Sequence, residues 1–230
     1  GSVGVPSVLG FIQLPYDNGF ASIWEYAVAI SAGDIDWLRE VGTTCPICGR
    51  EECWREITPY ARHVIELFSY REDDVLIARF QCRKTKATFS LLPVQLVPYC
   101  QYTVSSMVGA LLMVWAAIRD TGGRGVWRVV ECKQELSCDS RVTAWLLDTW
   151  LEAVLKGLRR AHHELSRRAR LEGMQSHRGR LGQLGEVAAY LEALGVRGPP
   201  AHGRDLTRLL CRYGRETGRF LFGTPSQERA

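Results

Sequence analysis

The sequence of 230 residues contains no long hydrophobic segment. Its longest apolar run, Val104 to Ile118, has about 15 residues, whereas a membrane-spanning helix needs roughly 18, so it predicts a core helix. The N-terminus lacks the basic-then-apolar pattern of a signal peptide. Eight cysteines are too few for a secreted disulfide scaffold of this length. These absences predict a cytoplasmic protein without a membrane helix, in which the thiols are reduced.

The motifs of common catalytic sites are missing as well. The chain has no Walker A loop, no Gly-x-Ser-x-Gly elbow and no His-Glu-x-x-His pair. A transposase would need three carboxylates on a mixed sheet of RNase H type, and the chain after residue 155 is predicted to be wholly helical. The acidic pairs Glu51-Glu52 and Asp73-Asp74 fall on predicted turns, where they would be solvated. We therefore predict a protein without enzymatic activity.

Lysine is scarce and the charge is unevenly distributed. Only four of the 29 basic residues are lysines, and the net charge is +4. Residues 1–44 have 1 basic and 5 acidic residues, a balance of −4, whereas residues 156–230 have 15 and 7, a balance of +8. The hydrophobic fraction of 46% is that of an ordinary globular protein. An anionic partner is therefore expected to bind the C-terminal part of the chain.

The hydrophobic pattern predicts an α+β fold that is mostly α, in which a small zinc-ribbon-like β-hairpin module precedes a helical helix-turn-helix body. Strands are predicted at His63–Phe68 and Val75–Phe80, with a charged turn at Tyr70–Asp74 between them. Later segments have helical spacing, and Leu181–Leu194 is one of them. The predicted segments are an acidic cap at 1–44, the ribbon module at 45–100, helices at 101–155, a basic helical region at 156–222 and a loose tail at 223–230.

The most specific local pattern is Cys45-Pro46-Ile47-Cys48-Gly49. Two thiolates separated by two residues on a tight turn can bind one tetrahedral Zn²⁺ from the same turn, which is called a knuckle. A structural zinc site needs four ligands, and Cys82 lies beyond the predicted hairpin, as in a zinc ribbon. The fourth ligand would be expected at position 85, which is Thr85.

Several ways to complete this site stay open at the level of sequence. Cys53 is close enough in the chain to supply the fourth ligand. Cys100, His63 or a water molecule could do so instead. Alternatively the site binds no metal, and apolar packing alone holds the hairpin. A redox function is less favoured, because no thioredoxin-like pattern surrounds the Cys-x-x-Cys pair.

Residues of this region also resemble a known type of domain. The pattern consists of Cys45-Pro-x-Cys48-Gly49, Ala78-Arg-Phe-Gln-Cys82, Thr88-Phe-Ser-Leu-Leu-Pro93 and Pro98-Tyr99. It resembles the N-terminal zinc ribbon of bacterial insertion-sequence transposases, and it is most similar to a bacterial family of unknown function that carries this ribbon ahead of a helix-turn-helix. The resemblance covers roughly residues 40–155. It implies a fourth cysteine at the position of Thr85.

The same resemblance implies a helix-turn-helix downstream. Trp127–Glu131 would form its second helix, Leu136–Cys138 the turn, and Asp139–Val154 the recognition helix. The first turns of such a helix contact base edges in the major groove. The residues placed there are Ser140, Arg141, Thr143 and Ala144. This face has one arginine, and Asp139 and Asp148 would repel phosphate, so the geometry is favoured over base recognition.

A basic stretch follows the predicted recognition helix. Its cations recur at spacings of three, four and seven residues, so one helix would present them as a stripe along a phosphate backbone. About six to eight phosphate contacts would make binding steeply salt-dependent. An ordinary solvated helix face is the alternative. The candidate phosphate contacts are Lys156, Arg159, Arg160, Arg167, Arg168 and Arg170.

Together these patterns predict a non-enzymatic protein that binds double-stranded DNA, an accessory or regulatory factor derived from a mobile element. The alternative is a protein–protein adaptor or homo-oligomer that keeps the fold without reading DNA. Tryptophan is enriched at interface hot spots, so exposed tryptophans would favour this alternative. The candidates are Trp115, Trp127, Trp145 and Trp150.

Overall fold

A computed structural model describes residues 11–17, 19–120, 141–167, 169–171, 173–197 and 202–223. The N-terminal half is dominated by strands and the C-terminal half by helices. The elements in chain order are β1 (Phe11–Tyr16), α1 (Ile23–Ala32), α2 (Trp37–Val41), β2 (Trp54–Glu66), a 3₁₀ turn (Leu67–Ser69), β3 (Arg71–Cys82), β4 (Thr88–Pro93), α3 (Val104–Asp120), α4 (Ala144–Arg160), α5 (His162–Ser166), α6 (Arg180–Ala193) and α7 (His202–Thr217).

The predicted fold class, mostly helical with a small hairpin module, is wrong. The four strands form one mixed sheet in the order β1-β4-β3-β2, and β1 pairs with β4 in parallel. The hairpin strands β2 and β3 are 13 and 12 residues long, about twice their predicted length. The N-terminal segment supplies an edge strand through a pairing such as Ile12 with Phe89. Hydrophobic periodicity is a local signal, so it does not reveal a pairing between segments so far apart.

The hairpin turn also lies elsewhere than predicted. The chain reverses at Leu67–Ser69, followed by Tyr70 at φ 54°, and the acidic residues after it belong to β3. His63 on β2 accounts for this difference. Its ring nitrogens lie 2.9 Å from a carboxylate oxygen of Glu72 and 3.0 Å from one of Asp74. The acidic side chains therefore have partners across the strand pair.

One face of the sheet packs on α1 and α2 through an aromatic cluster. Trp37 lies against Tyr16 and Phe80, with ring centroids 5.7 and 5.6 Å apart. Phe80 also stacks on Phe89 at 5.2 Å and contacts Trp54 edge-on at 5.3 Å. Rings at these separations gain a specific attraction in addition to their burial. The cluster stiffens the end of the sheet where β2 begins and β3 ends.

The helical half has its own core. Trp150 on α4 is 1% exposed and packs against Tyr102, and α4 and α6 contact each other. The helix predicted at Leu181–Leu194 is confirmed as α6, one residue earlier at each end. None of the helices in the described ranges combines the length and the apolar character needed to cross a bilayer.

The predicted recognition helix begins later than expected. Thr143 caps α4, because its hydroxyl accepts a hydrogen bond from the Leu146 backbone N–H at 3.2 Å, and the helix starts at Ala144 instead of Asp139. The predicted second helix, the turn and Ser140 lie outside the described residues. The basic stretch does not form one helix either, since α4 ends at Arg160 and a separate short helix follows.

Candidate functional site

The cysteine cluster is built on two turns at one end of the β2–β3 pair. In the first knuckle, residues 45–50, the Cys45 N–H donates to the Arg50 carbonyl at 2.8 Å. The Gly49 N–H donates back to the Cys45 carbonyl at 2.9 Å. Gly49 has φ 70°, a left-handed conformation that glycine adopts without strain. These hydrogen bonds form the tight turn that the sequence pattern predicts.

The second knuckle, residues 82–87, repeats this backbone pattern. The Cys82 N–H donates to the Ala87 carbonyl, and the Lys86 N–H donates to the Cys82 carbonyl, both at 2.9 Å. Lys86 has φ 63° and occupies the position that Gly49 occupies in the first knuckle. Thr85 therefore lies where a second thiol of this knuckle would be.

Cys53 supplies the fourth thiol from the start of β2. Its carbonyl accepts a hydrogen bond from the Arg83 N–H at 2.7 Å, which ties this segment to the second knuckle. Its sulfur lies 3.4 Å from that of Cys48 and 3.6 Å from that of Cys82. The sequence left Cys53 as one of several options, and the fold brings it into the cluster.

The four sulfurs of Cys45, Cys48, Cys53 and Cys82 all lie within 4.8 Å of one another. Sulfurs bound about 2.3 Å from one tetrahedral zinc ion lie about 3.8 Å apart, so these separations suit a four-thiolate site. Cys45 and Cys82 are 1% and 0% exposed, and Cys48 is half-buried. These four cysteines could hold a metal ion.

The other two protein ligands considered from the sequence are not part of this cluster. His63 lies toward the far end of the hairpin, where it is bound to Glu72 and Asp74. The Cys100 sulfur faces Met107, with 3.9 Å between the two sulfur atoms. Burial raises the pKa of the Cys100 thiol, which disfavours the thiolate that a metal would need.

Thr85 acts on the cluster through hydrogen bonds. Burial alone would raise the pKa of the Cys82 thiol. The Thr85 hydroxyl and backbone N–H and the neighbouring Cys48 and Cys53 thiols outweigh burial and lower that pKa to about 6. A hydrogen bond with Cys48, followed by burial, raises the pKa of Cys53. Of Cys82 and Cys53, Cys82 is therefore the residue whose thiol ionises more readily at neutral pH.

The predicted DNA contacts before α4 have partners within the protein. Arg141 forms a 2.7 Å ion pair with Glu72 of β3. Thr143 caps α4 with its hydroxyl, and Ala144 is the first residue of that helix. Arg141 thus connects the segment before α4 to the sheet, and Thr143 stabilises the first turn of α4.

The predicted basic stripe is divided between internal contacts and solvent. Arg159 binds both carboxylate oxygens of Glu186, at 2.8 and 2.7 Å, and Glu186 is only 4% exposed. Arg160 donates to the carbonyls of Phe220 and Leu221. Its remaining described members, Lys156, Arg167 and Arg170, are exposed, whereas Arg168 lies outside the described residues.

The second knuckle carries three cations that were not among the predicted binding residues. Arg83, Lys84 and Lys86 are all exposed, beside the buried Cys82. Two of the four lysines in the chain are in this turn, which is a compositional signal that could have identified it.

Comparison with known proteins adds no further evidence about this site. No protein-family model, curated protein or solved structure matches the chain. The similarity to transposase zinc ribbons therefore stays a prediction from the sequence.

Proposed function

We propose that this chain is a DNA-binding protein, an accessory or regulatory factor, in which a four-cysteine zinc centre supports a cationic turn that contacts phosphates. The second knuckle would make the principal contact. This proposal keeps the function predicted from the sequence but moves the contact surface from the basic helices to the turn beside the cysteines.

Zinc is the metal that these ligands favour. Thiolates are soft ligands, and a tetrahedral set of four sulfurs is typical of structural zinc sites. Four thiolates leave no open coordination position, so such a site would stabilise structure and would not catalyse a reaction. The ion would fix both knuckles and the start of β2 relative to one another.

The observation that carries the DNA proposal is the charge of the second knuckle. No acidic residue occurs from Val75 to Arg119, and the exposed cations of that stretch before Arg119 are Arg83, Lys84 and Lys86. The first knuckle ends in Arg50 and is followed by the acidic pair Glu51-Glu52, so it has no comparable excess of positive charge. Three cations within four residues of one turn can each neutralise a phosphate.

The basic helical surface is less suited to this role because much of its charge is balanced. A groove between α4 and α6 includes Arg159 and Arg180, but Arg159 is paired with Glu186, and Arg180 with Asp148 at 2.7 Å. An arginine in such a pair has to give up its partner, or share it, before it can bind a phosphate.

Two triple variants separate the two surfaces. One variant is Arg83→Gln, Lys84→Gln and Lys86→Gln. The matched control is Lys156→Gln, Arg167→Gln and Arg170→Gln. Each lowers the formal net charge from +4 to +1, that is 4 − 3. Fluorescence anisotropy with a random duplex would measure affinity for DNA across a salt series.

We expect the knuckle variant to lose most of the affinity and the control to keep most of it. Loss of three phosphate contacts should reduce the slope of log K against log salt by about 2.7. If only the control loses affinity, the stripe predicted from the sequence is the contact surface. If the parent protein does not bind duplex DNA at low salt, the proposed function is wrong.

One observation favours the adaptor alternative. Trp145 on α4 is 73% exposed and Leu181 on α6 is 46% exposed, close to the Arg180–Asp148 ion pair that links these helices. An exposed tryptophan is a common anchor for a protein partner. A stable oligomer in light scattering that dissociates on Trp145→Ala, together with no DNA binding, would support this function instead.

A further inference from the structure

A cavity of about 270 Å³ lies between the sheet half and the helical half. The start of α1, the end of β2, the start of α3 and the first turns of α7 form its walls. Small-molecule sites are often found between two packed units of a protein, and this volume is near the lower end of their usual range. The cavity is separate from the cysteine cluster and from the cationic knuckle.

Glu66, the last residue of β2, places a carboxylate in the wall of the cavity. One of its oxygens accepts a hydrogen bond from the Trp24 indole N–H at 2.9 Å. The other accepts from the hydroxyls of Thr103, at 3.3 Å, and Ser105. These donors fix the orientation of the carboxylate. An ionised carboxylate has about four acceptor sites, so three donors leave room for one more.

Gln95 contributes a second acceptor to the same wall. It is 6% exposed, and its side-chain N–H donates to the Phe20 carbonyl at 3.1 Å. Its side-chain oxygen is buried and has no hydrogen-bond partner among the residues that the structure describes. A buried acceptor without a partner is unfavourable, so a bound molecule that donates a hydrogen bond there would be stabilised.

The rest of the lining limits what such a molecule can be. Arg204 of α7 also lines the cavity and is exposed to solvent. The remaining wall combines apolar side chains of α1, α3 and α7 with three hydroxyl groups; the apolar residues are Ile23, Val104, Leu206 and Leu210, and the hydroxyl residues are Ser22, Ser105 and Thr207. A carboxylate and an amide oxygen at one place and a guanidinium at another suit a ligand with a cationic donor, a short apolar body and an anionic end.

We propose that this cavity binds a small zwitterion of the α-amino acid class, whose ammonium group lies at Glu66 and Gln95 and whose carboxylate lies toward Arg204. Its apolar body occupies the space between α1 and α7. Because the bound molecule would contact both halves, it would also stabilise their packing against each other.

Three compounds of similar shape test whether binding requires the ammonium group and the carboxylate of the ligand. Leucine has both groups, isoamylamine lacks the carboxylate, and isocaproate lacks the amine. Isothermal titration calorimetry on the full chain is expected to show binding of leucine, weaker binding of isoamylamine and none of isocaproate. Arg204→Gln should weaken leucine while leaving isoamylamine unchanged, and Glu66→Gln should weaken both by about tenfold or more.

A cavity-filling variant keeps the proposal testable if Glu66→Gln does not fold. Within the described part of the chain, a Cβ added at Gly203 of α7 would meet only the Cβ of Ser105, at 4.0 Å. Gly203→Leu should therefore fill the space and abolish leucine binding, whereas Gly203→Ala should retain it. Thermal denaturation of both variants is the control for folding, and each is expected to unfold in a cooperative transition.

Binding of isocaproate as strong as that of isoamylamine would overturn the assignment of the ammonium site. Unchanged leucine binding in Gly203→Leu would overturn the assignment of the cavity. Absence of binding by all three probes to the parent protein would overturn the proposal itself.

Discussion

The two knuckles share a backbone but not a ligand set. In both, the first cysteine donates to the carbonyl five residues later, and the residue four positions on donates back to that cysteine. The first knuckle has two cysteines and the left-handed Gly49, whereas the second has one cysteine, Thr85 and the left-handed Lys86. The turn geometry is therefore independent of whether the turn carries a second thiol.

The missing thiol is replaced from the neighbouring segment. Cys53 is hydrogen bonded through its carbonyl to the second knuckle at Arg83, and this contact brings its sulfur within 3.6 Å of that of Cys82. The fourth thiol can thus come from position 53 instead of position 85 while the four sulfurs still form one cluster. Four experiments test this interpretation of the two knuckles.

The largest effect is expected when the replacement ligand is removed. Cys53→Ser should lose the bound zinc, as should Cys45→Ser, because three thiolates hold a structural ion much less tightly than four. The binding free energy of a structural metal is part of the folding free energy. A loss of about 3 kcal/mol would lower the Tm by about 6–12 °C for a domain of this size. Elemental analysis and thermal denaturation measure the two quantities.

Cys211→Ser is the matched control, because Cys211 is a half-buried thiol outside the cluster. It should retain one equivalent of zinc. Full zinc content in Cys53→Ser would show that the second knuckle does not depend on Cys53, and the comparison above would fail. Absence of zinc from the parent protein would exclude the metal site altogether.

A smaller effect, in the opposite direction, is expected from restoring a thiol to the second knuckle. In the Cys53→Ser background, Thr85→Cys should recover zinc binding, because the Thr85 side chain already reaches the Cys82 sulfur. Recovery measured by elemental analysis would show that the second knuckle is built for two ligands. Thr85→Val in the same background is the control and should remain without zinc. Equal zinc content in both variants would contradict the shared geometry.

Substitution of the left-handed residue should change stability modestly in both knuckles, with a gain in the second knuckle and a loss in the first. Lys86→Gly removes the strain of a side chain at φ 63° but adds freedom to the unfolded chain, a net gain of about 0.5–1 kcal/mol. Gly49→Ala should cost about 1 kcal/mol. A Cβ at Gly49 meets no atom of the described residues within 4 Å, so this cost is assigned to the backbone. Shifts in Tm of about 1–4 °C measure both changes. Stabilisation by Gly49→Ala would contradict the assigned backbone.

The sequence predicted those features that depend on a short segment of chain, namely the first knuckle and helix α6. The knuckle Cys45–Cys48 was recognisable because its spacing alone specifies a chelating turn, and α6 followed from its helical period. Cys53 was only one option, because its place in the cluster depends on a hydrogen bond between Cys53 and Arg83.

Contacts between distant segments were not predictable in the same way. The parallel pairing of β1 with β4 joins residues such as Gln13 and Ser90, and no local pattern indicates it. The ion pair of Arg159 with Glu186 likewise spans 27 residues and removes one cation from the predicted stripe. Helical spacing identifies which side chains share a face but not which of them a later segment will neutralise.

The smallest change in stability is expected at the far end of the same hairpin, where the contacts between the strands are made by charged side chains instead of thiols. Hydrogen bonds with Asp74 and then Glu72 raise the pKa of His63, so its contribution is complete below pH about 6.5 and is lost as the pH rises through the folded pKa. Arg141, followed by His63, lowers the pKa of Glu72. Its contribution is therefore complete above pH about 4.3 and is lost as the pH falls through the folded pKa.

Together these shifts favour the far end of the hairpin most between pH about 4.3 and 6.5. The effect should be small, because all these groups are exposed and screened by solvent. His63→Gln should flatten the decline of the Tm above pH about 6.5 without changing the zinc content, whereas Cys53→Ser should lose zinc at every pH in this range. An equal decline in the parent protein and in His63→Gln would mean that His63 does not stabilise the hairpin. Loss of zinc in His63→Gln would mean that the two ends of the hairpin are coupled, and that the knuckles do not form their cluster independently of the charged end.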